Sequence, residues 1–425
     1  GRQMISSSIM SAFRRLAQHS CRYRHYKGEN ASRMFSSSSD VYNTDRYDLV
    51  IRGGEVCTAS EVFRADVGIT NGIVQNVGLQ LPQGKNEIDA HGMLVLPGGV
   101  DTHCHIEQTR ELGGPLSCGE LFDTGTISAA CGGTTTTLSF CQQMKGATLM
   151  EAIADYSARA SAAVIDHGFH IVINDPSEAI LEELPSVIAQ GHRSLKIFMT
   201  YPHNRVNDDG ILKILQVARA NAALVTFHCE NHDAIVWQTN KLIEHGLTQP
   251  KHFAWSKPSV VEREAVCRAI ALAELTDCPI QIFHVTCEEV ADEIARAQQR
   301  GVKVWAETCT HYLHCTASDL DRPNMEGAKY IHSPAPRSLK EHDALWKHID
   351  MGTLTNVTSD HAPAYFYGVF CFVCIFLFAL FCLLLFSRVF FSSLCFSSLF
   401  RSPLCFAIPL FTLCVLRYTL SLSLS

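Results

Sequence analysis

The chain has 425 residues, 47% of them apolar and 18% charged, with a formal net charge of −7. That length suits one large domain or a barrel with a small companion, and the acidic balance excludes a charge-driven partnership with nucleic acid or an anionic membrane. Eighteen cysteines in so long a chain do not read as the disulfide scaffold of a small secreted protein. Cys104, Cys131, Cys141, Cys229, Cys287 and Cys309 are scattered through apolar, strand-like runs, the setting of free thiols.

Residues 1–45 form a leader. Arg2, Arg14, Arg15, Arg22, Arg24 and Arg33 lie among many serines, and Glu29 is the one acid in residues 1–39. Arg- and Ser-rich, acid-poor composition is that of a mitochondrial transit peptide. Mitochondrial residence is therefore expected, or the cytoplasm for a form begun at Met34. Residues 46–92 follow as a small β module, in which "YDLVIRGGEVCT" and "ADVGITNGIVQNVG" alternate apolar and polar residues around Gly and Asn turns.

From 93 to 363, short β-rich runs alternate with helical stretches. Eight core strands are expected: "MLVLPGGV" (93–100), "TTTTLSF" (134–140), "GFHIVIN" (168–174), "SLKIFMT" (194–200), "ALVTFH" (223–228), "PIQIFHV" (279–285), "KVWAETC" (303–309) and "LTNVTSD" (354–360). Segments such as "LMEAIADYSARASAAVI" and "VEREAVCRAIALAEL" supply the helices between them. Eightfold strand–helix alternation predicts an α/β fold, a (β/α)8 TIM-like barrel.

Such a barrel does its chemistry at the C-terminal ends of its strands. Those ends carry His103 and His105 after strand one, Lys196 in strand four, His228 ending strand five, His284 in strand six and Asp360 ending strand eight. In "LPGGVDTHCHIEQ" the His-x-His spacing points both rings to one side of an extended segment, as a pair of metal ligands requires. Lys196 alternates with Leu195, Ile197 and Met199, which should meet the helices, so the lysine faces the lumen. A charge there is costly unless compensated. Reaction of its neutral amine with carbon dioxide, giving an anionic carbamate able to bridge two metals, is one compensation.

With these residues in place the sequence resembles the cyclic amidohydrolases of the dihydropyrimidinase and hydantoinase group. The resemblance runs from about Tyr47 to Pro363 through "LPGGVDTHCHIEQ", "SAACGGTTTT", "SLKIFMTY", "FHCENHDAI", "FHVTCEEVADEI", "AETCTHYL", "SPAPR" and "SDHAP". It implies two zinc ions bridged by Lys196 as N6-carboxylysine, one held by His103, His105 and Asp360, the other by His228 and His284. It also implies that Tyr201 binds the substrate carbonyl oxygen as it becomes an oxyanion, that main-chain atoms of Ser333 bind the ring amide, and that Asp360 shuttles the proton. Carbamate, Asp360 and a bridging hydroxide leave the zinc pair with a positive excess, which keeps the hydroxide deprotonated.

The implied reaction is ring opening of a small cyclic amide, 5,6-dihydrouracil or dihydrothymine giving N-carbamoyl-β-amino acids, in a homotetramer. Hydantoinases and allantoinases share the ligand set and stay open as alternatives. Dihydroorotases typically carry His-x-His-x-Arg, whereas Glu107 stands here and would repel a substrate carboxylate. A non-catalytic relative, or an inactive truncated product, is the reading of another class.

Residues 364–425 break the pattern. They contain no Asp, Glu, Lys, His, Asn or Gln, and "FCFVCIFLFALFCLLLF" is long enough to cross a bilayer. Membrane insertion is not expected, because the run starts directly after "SDHAP", where a barrel needs a helix to cover its last strand. Pyrimidine-rich codons would give this composition, so the expectation is translated intron or frame-shifted DNA.

Overall fold

A computed structural model describes residues 47–109, 120–144 and 146–363, together with two two-residue antiparallel strands at Tyr365–Phe366 and Val369–Phe370. The leader and almost all of the apolar tail lie outside the described residues. The described part falls into two compact units, one ending at Gly98 and the other starting at Gly99.

The first unit is a five-stranded sheet. β1 (Leu49–Cys57) pairs antiparallel with β2 (Val62–Thr70), which pairs with β3 (Ile73–Gly78). On its other edge β1 runs parallel to β4 (Asn86–Asp89) and β5 (Leu94–Val95). Val56, Ala65 and Val67 form the buried centre of one face, with Ile51, Ile69 and Val95 packed on it. Arg52 links the segments: its guanidinium donates to Asp66 at 3.0 Å, to the Leu81 carbonyl at 2.7 Å and to Glu87.

The second unit is the expected barrel. Its eight strands are β6 (Gly99–Cys104), β7 (Thr134–Cys141), β8 (Asp166–Val172), β9 (Ser194–Phe198), β10 (Leu224–His228), β11 (Ile280–Ile282), β12 (Val304–Cys309) and β13 (Asn356–Thr358), adjacent in that order and all parallel. Closure comes just past the last strand. Cys104 bridges to His361, the His105 N–H donates to the His361 carbonyl at 2.6 Å, and the Ser359 N–H donates to Asp101 at 3.2 Å. Helices connect most strands. Leu149–Ala160 starts with a capping box, in which Thr148 Oγ1 accepts from the Glu151 N–H at 3.1 Å and Glu151 accepts from the Thr148 N–H at 2.8 Å. Ser259–Thr276 stops at Asp277 in left-handed conformation. Among the described residues no helix is long and apolar enough to cross a membrane.

One expected strand splits. Within 93–100, Leu94 and Val95 pair with Glu55 and Val56 of β1 in the small sheet, and a new strand starts at Gly99. Pro97 has no N–H for a ladder, so the chain leaves one sheet there and enters the other. The barrel strand therefore runs on to Cys104 and carries His103 within it. The ten cysteines among the described residues with full side chains, including the six named above, are free thiols.

Candidate metal centre at the barrel rim

The rim is built by strands that end early. β11 stops at Ile282 and β13 at Thr358, and two residues later His284 (φ 43°) and Asp360 (φ 47°) take the left-handed conformation. Tyr201 (φ 72°) does the same beyond β9. A non-glycine residue in that region costs on the order of 1–3 kcal/mol and persists only where its surroundings enforce it. The strain turns these side chains off the strand direction and toward one another.

His103 and His105 meet at Asp360. Their Nε2 atoms lie 3.0 and 3.3 Å from the same Asp360 Oδ1. Each Nδ1 is occupied elsewhere. His103 Nδ1–H donates to the fully buried Glu307 carboxylate, which Gln281 holds by its amide at 3.2 Å. His105 Nδ1 is 2.8 Å from Gln108 Oε1, and Gln108 donates its own amide N–H to the Phe140 carbonyl at 2.6 Å. With Nδ1–H engaged on both rings, each Nε2 is turned toward Asp360, to share a proton with it or, once deprotonated, to take a cation. Burial works against a charged His103, yet Asp360 and Glu307 outweigh it and raise its pKa to about 9. Burial also opposes the Asp360 carboxylate, but His103 and His105 hold it well below the usual range. The carboxylates that draw a proton onto His103 would equally draw a divalent cation.

Lys196 lies where strand alternation puts it, 1% exposed in the lumen, while Leu195 and Ile197 are buried on the opposite face. Its Nζ is 4.2, 4.6 and 5.2 Å from the ring centres of Phe283, Phe198 and Phe140. Among the described residues it makes no ion pair. Cation–π attraction returns roughly 0.5–2 kcal/mol, against an effective desolvation cost of several kcal/mol for a buried ammonium. Burial therefore dominates and pulls the pKa to about 7, despite the pull of Asp360 and Glu307 in the other direction. Near neutral pH a large share of this amine is uncharged and nucleophilic. Phe283 and Phe140 also pack against His103, at 4.4 and 4.9 Å between ring centres, which puts the amine beside the histidine cluster.

The opposite wall holds His228 and His284, with ring centres 4.4 Å apart. His228 Nε2–H donates at 2.7 Å to Glu230, whose carboxylate also receives the Lys257 ammonium at 2.7 Å. Burial resists a charged Glu230, but Lys257 and His228 bring its pKa down to about 2. With Nε2 engaged, His228 presents Nδ1. His284 is different: it is 2% exposed, and neither ring nitrogen has a hydrogen-bond partner. Such an unsatisfied buried group costs about 1–3 kcal/mol. His103, His284 and Asp360 each offer a ligand atom, all within 4.8 Å of one another. The donor set and the unpartnered His284 ring both fit a metal ion.

Tyr201 packs at a tilt against His228, 5.1 Å between ring centres. Burial and the nearby Glu230 keep its phenol protonated, with Ser333 pulling slightly the other way. Ser333 Oγ lies 3.5 Å from Glu230, and Arg337 ties the same loop to Glu262 at 2.9 Å and Thr286 at 2.8 Å. One oxygen of the Glu107 carboxylate accepts the Phe122 N–H at 2.8 Å, at the start of helix Phe122–Cys131.

The structure thus gathers His103, His105, Lys196, His228, His284 and Asp360 at one rim, with Tyr201 and Ser333 alongside. Sequence reasoning missed Glu307, Gln108, Glu230 and Lys257, which orient the rings. A signal existed for Glu307, a carboxylate inside the strand-like run "VWAETC", the same anomaly that marked Lys196.

Comparison with known proteins agrees with this geometry. Residues 94–380 match the model of the Amidohydrolase family. The chain belongs to the amidohydrolase family. Within the family it is 43% identical over 323 residues to a D-hydantoinase of Ralstonia pickettii, covering 76% of this chain and 70% of the relative. A D-hydantoinase of Geobacillus stearothermophilus is 40% identical, with 75% and 68% covered. Among solved structures, one D-hydantoinase superposes with a TM-score of 0.73 at 43% identity, covering 76% of this chain and 70% of that one. The dihydropyrimidinase from Brevibacillus agri gives 0.72 at 40%, covering 75% and 69%. These matches put this amidohydrolase in the hydantoinase and dihydropyrimidinase group.

Proposed function

We propose that the protein opens the rings of cyclic amides by hydrolysis, with 5,6-dihydrouracil and dihydrothymine as substrates and N-carbamoyl-β-amino acids as products. The observation that carries this reading is the convergence of His103, His105, His284 and Asp360, with both ring nitrogens of His284 left without a partner, in a relative of enzymes named D-hydantoinase and dihydropyrimidinase. Five-membered hydantoins present the same cyclic imide and are the second reading, favoured by the relatives' names.

His103, His105 and Asp360 would hold one zinc ion, His228 and His284 a second, and Lys196, carboxylated on its neutral amine, would bridge them. When bound, the metals supply Lewis acidity, acidifying a water and polarising the ring carbonyl. The chain's own groups do the rest. Asp360, kept ionised by the two histidines, takes the proton of the attacking water and passes it to the departing ring nitrogen. Tyr201 keeps its phenolic hydrogen and donates it toward the carbonyl oxygen as charge develops. Main-chain atoms of Ser333 align the ring amide. Phe140, Phe198 and Phe283 line the lumen below and keep bulk water from the amine. A homotetramer and mitochondrial residence belong to the same proposal.

The test is reconstitution. Chelator-stripped protein should not open dihydrouracil, and zinc should restore turnover, with N-carbamoyl-β-alanine as the product. Full turnover in protein shown to be metal-free by elemental analysis contradicts the proposal.

A further inference from the structure

A second group of donors sits on the seam between the seventh and eighth strands. Cys309 ends β12 and pairs in register with Thr358, which ends β13. His311 follows two residues after the first, and Asp360 two residues after the second. Cys309 Sγ, a His311 ring nitrogen and an Asp360 oxygen all lie within 4.8 Å of one another.

His311 carries the argument. It is 5% exposed; the Ser359 backbone borders its ring, and neither ring nitrogen makes a hydrogen bond of normal geometry. Its ring is gripped by Tyr312 at 4.2 Å and His332 at 4.1 Å between ring centres. The bland reading, a histidine buried as aromatic packing beside an inert thiol, explains the burial. It leaves the ring without a well-formed hydrogen bond in the interior. Glu307 and Gln108 satisfy a nitrogen on His103 and His105 in the same neighbourhood, whereas His311, like His284, has no such bond.

We propose that Cys309, His311 and Asp360 form a second cation site, for a thiophilic divalent cation of the zinc and cadmium class. Thiolate, imidazole and carboxylate are ligands these ions share, whereas calcium and magnesium require oxygen. Binding exchanges the Cys309 S–H bond for a sulfur–metal bond and releases the proton to solvent, with no change of oxidation state. Asp360 is the member with an exposed edge, its side chain 12% accessible against 0% for Cys309, so the cation enters through the catalytic mouth. Because Asp360 also belongs to the His103–His284 group, occupation removes it from ring opening. That inhibitory consequence rests on the proposed function; the binding does not.

The experiment titrates cadmium onto the zinc-loaded full-length protein. It follows the thiolate-to-cadmium charge-transfer band, the retained zinc by elemental analysis, and the rate of dihydrouracil opening. The expected result is a saturating band with zinc retained and activity falling in parallel. Cys309→Ser should abolish that band and move inhibition to cadmium concentrations at least ~10-fold higher. His311→Gln should keep the thiol but weaken binding by a similar factor, and Cys131→Ser with Cys267→Ser, which remove exposed thiols, should change neither. A band at unchanged affinity in either Cys309→Ser or His311→Gln overturns the site, as does inhibition accompanied by zinc loss and no band. A catalytically silent protein that shows the Cys309-dependent band upholds the site while the functional reading fails.

Discussion

His103 and His105 approach Asp360 with their rings already turned, each holding a partner on Nδ1, whereas across the lumen His284 has a partner on neither nitrogen. Both walls use histidine, both are buried, and both end on strands of the same sheet. They differ in where the imidazole hydrogen-bonding capacity goes. On the first wall it is spent within the protein, so the ligand atoms are aimed before any cation arrives. On the second, Glu230 and Lys257 aim His228, while His284 is satisfied only by what binds. The first wall is therefore the pre-organised half of the proposed centre, and the second gains most from occupation.

The strongest way to break this contrast is to remove what joins the halves. Lys196→Ala should lower ring opening by at least ~10³-fold and reduce metal content, and a small added carboxylate should restore part of both. Lys196→Arg should fail equally, because guanidinium stays cationic and forms no carbamate. An active Lys196→Arg protein holding two metals would refute the bridge.

Next in size is Glu307→Gln. Losing this carboxylate should cut metal affinity on the first wall about 10–100-fold. Its pH dependence has a definite sign. His103, with its pKa raised to about 9, must shed a proton to bind metal at lower pH, so affinity in the unsubstituted protein should climb as pH rises toward 9. In Glu307→Gln the pKa drops and the climb should level off at lower pH. Calorimetry in buffers of different ionisation enthalpy reads the released proton directly; an unchanged proton count in the variant contradicts the pairing.

A smaller effect is expected at Gln108, a neutral partner to a ring that is 20% accessible. Gln108→Leu should weaken metal binding only several-fold, the equivalent of about 1 kcal/mol for one neutral hydrogen bond. A loss as large as that of Glu307→Gln would erase the distinction between charged and neutral support on this wall.

How much of this was legible in the sequence follows from the range of the forces. Strand–helix alternation is local, and it announced the barrel and the strand ends where His103, His105, Lys196, His228, His284 and Asp360 stand. The lumen position of Lys196 came from strand periodicity alone. The pairing of His103 with Glu307 was not legible, because the two are 204 residues apart and meet only when the sheet curls. Nor does a sequence reveal that His284 and Asp360 leave their strands with positive φ. Pro97 was visible, yet the exchange of sheets it permits depends on β1 being there to receive Leu94 and Val95. Nor did the sequence reveal that the Glu107 carboxylate accepts the Phe122 N–H at a helix start.

The most direct measurement is anomalous diffraction at the zinc edge from crystals of the zinc-loaded protein, collected at limiting and at saturating metal. The account predicts two peaks at saturation, one bonded to Nε2 of His103 and His105 and the other to Nδ1 of His228 and to His284. Density should extend beyond Lys196 Nζ between them, and the peak on the His103 wall should fill first. Metal elsewhere on the protein, or an unmodified Lys196 in crystals that open dihydrouracil, would contradict it.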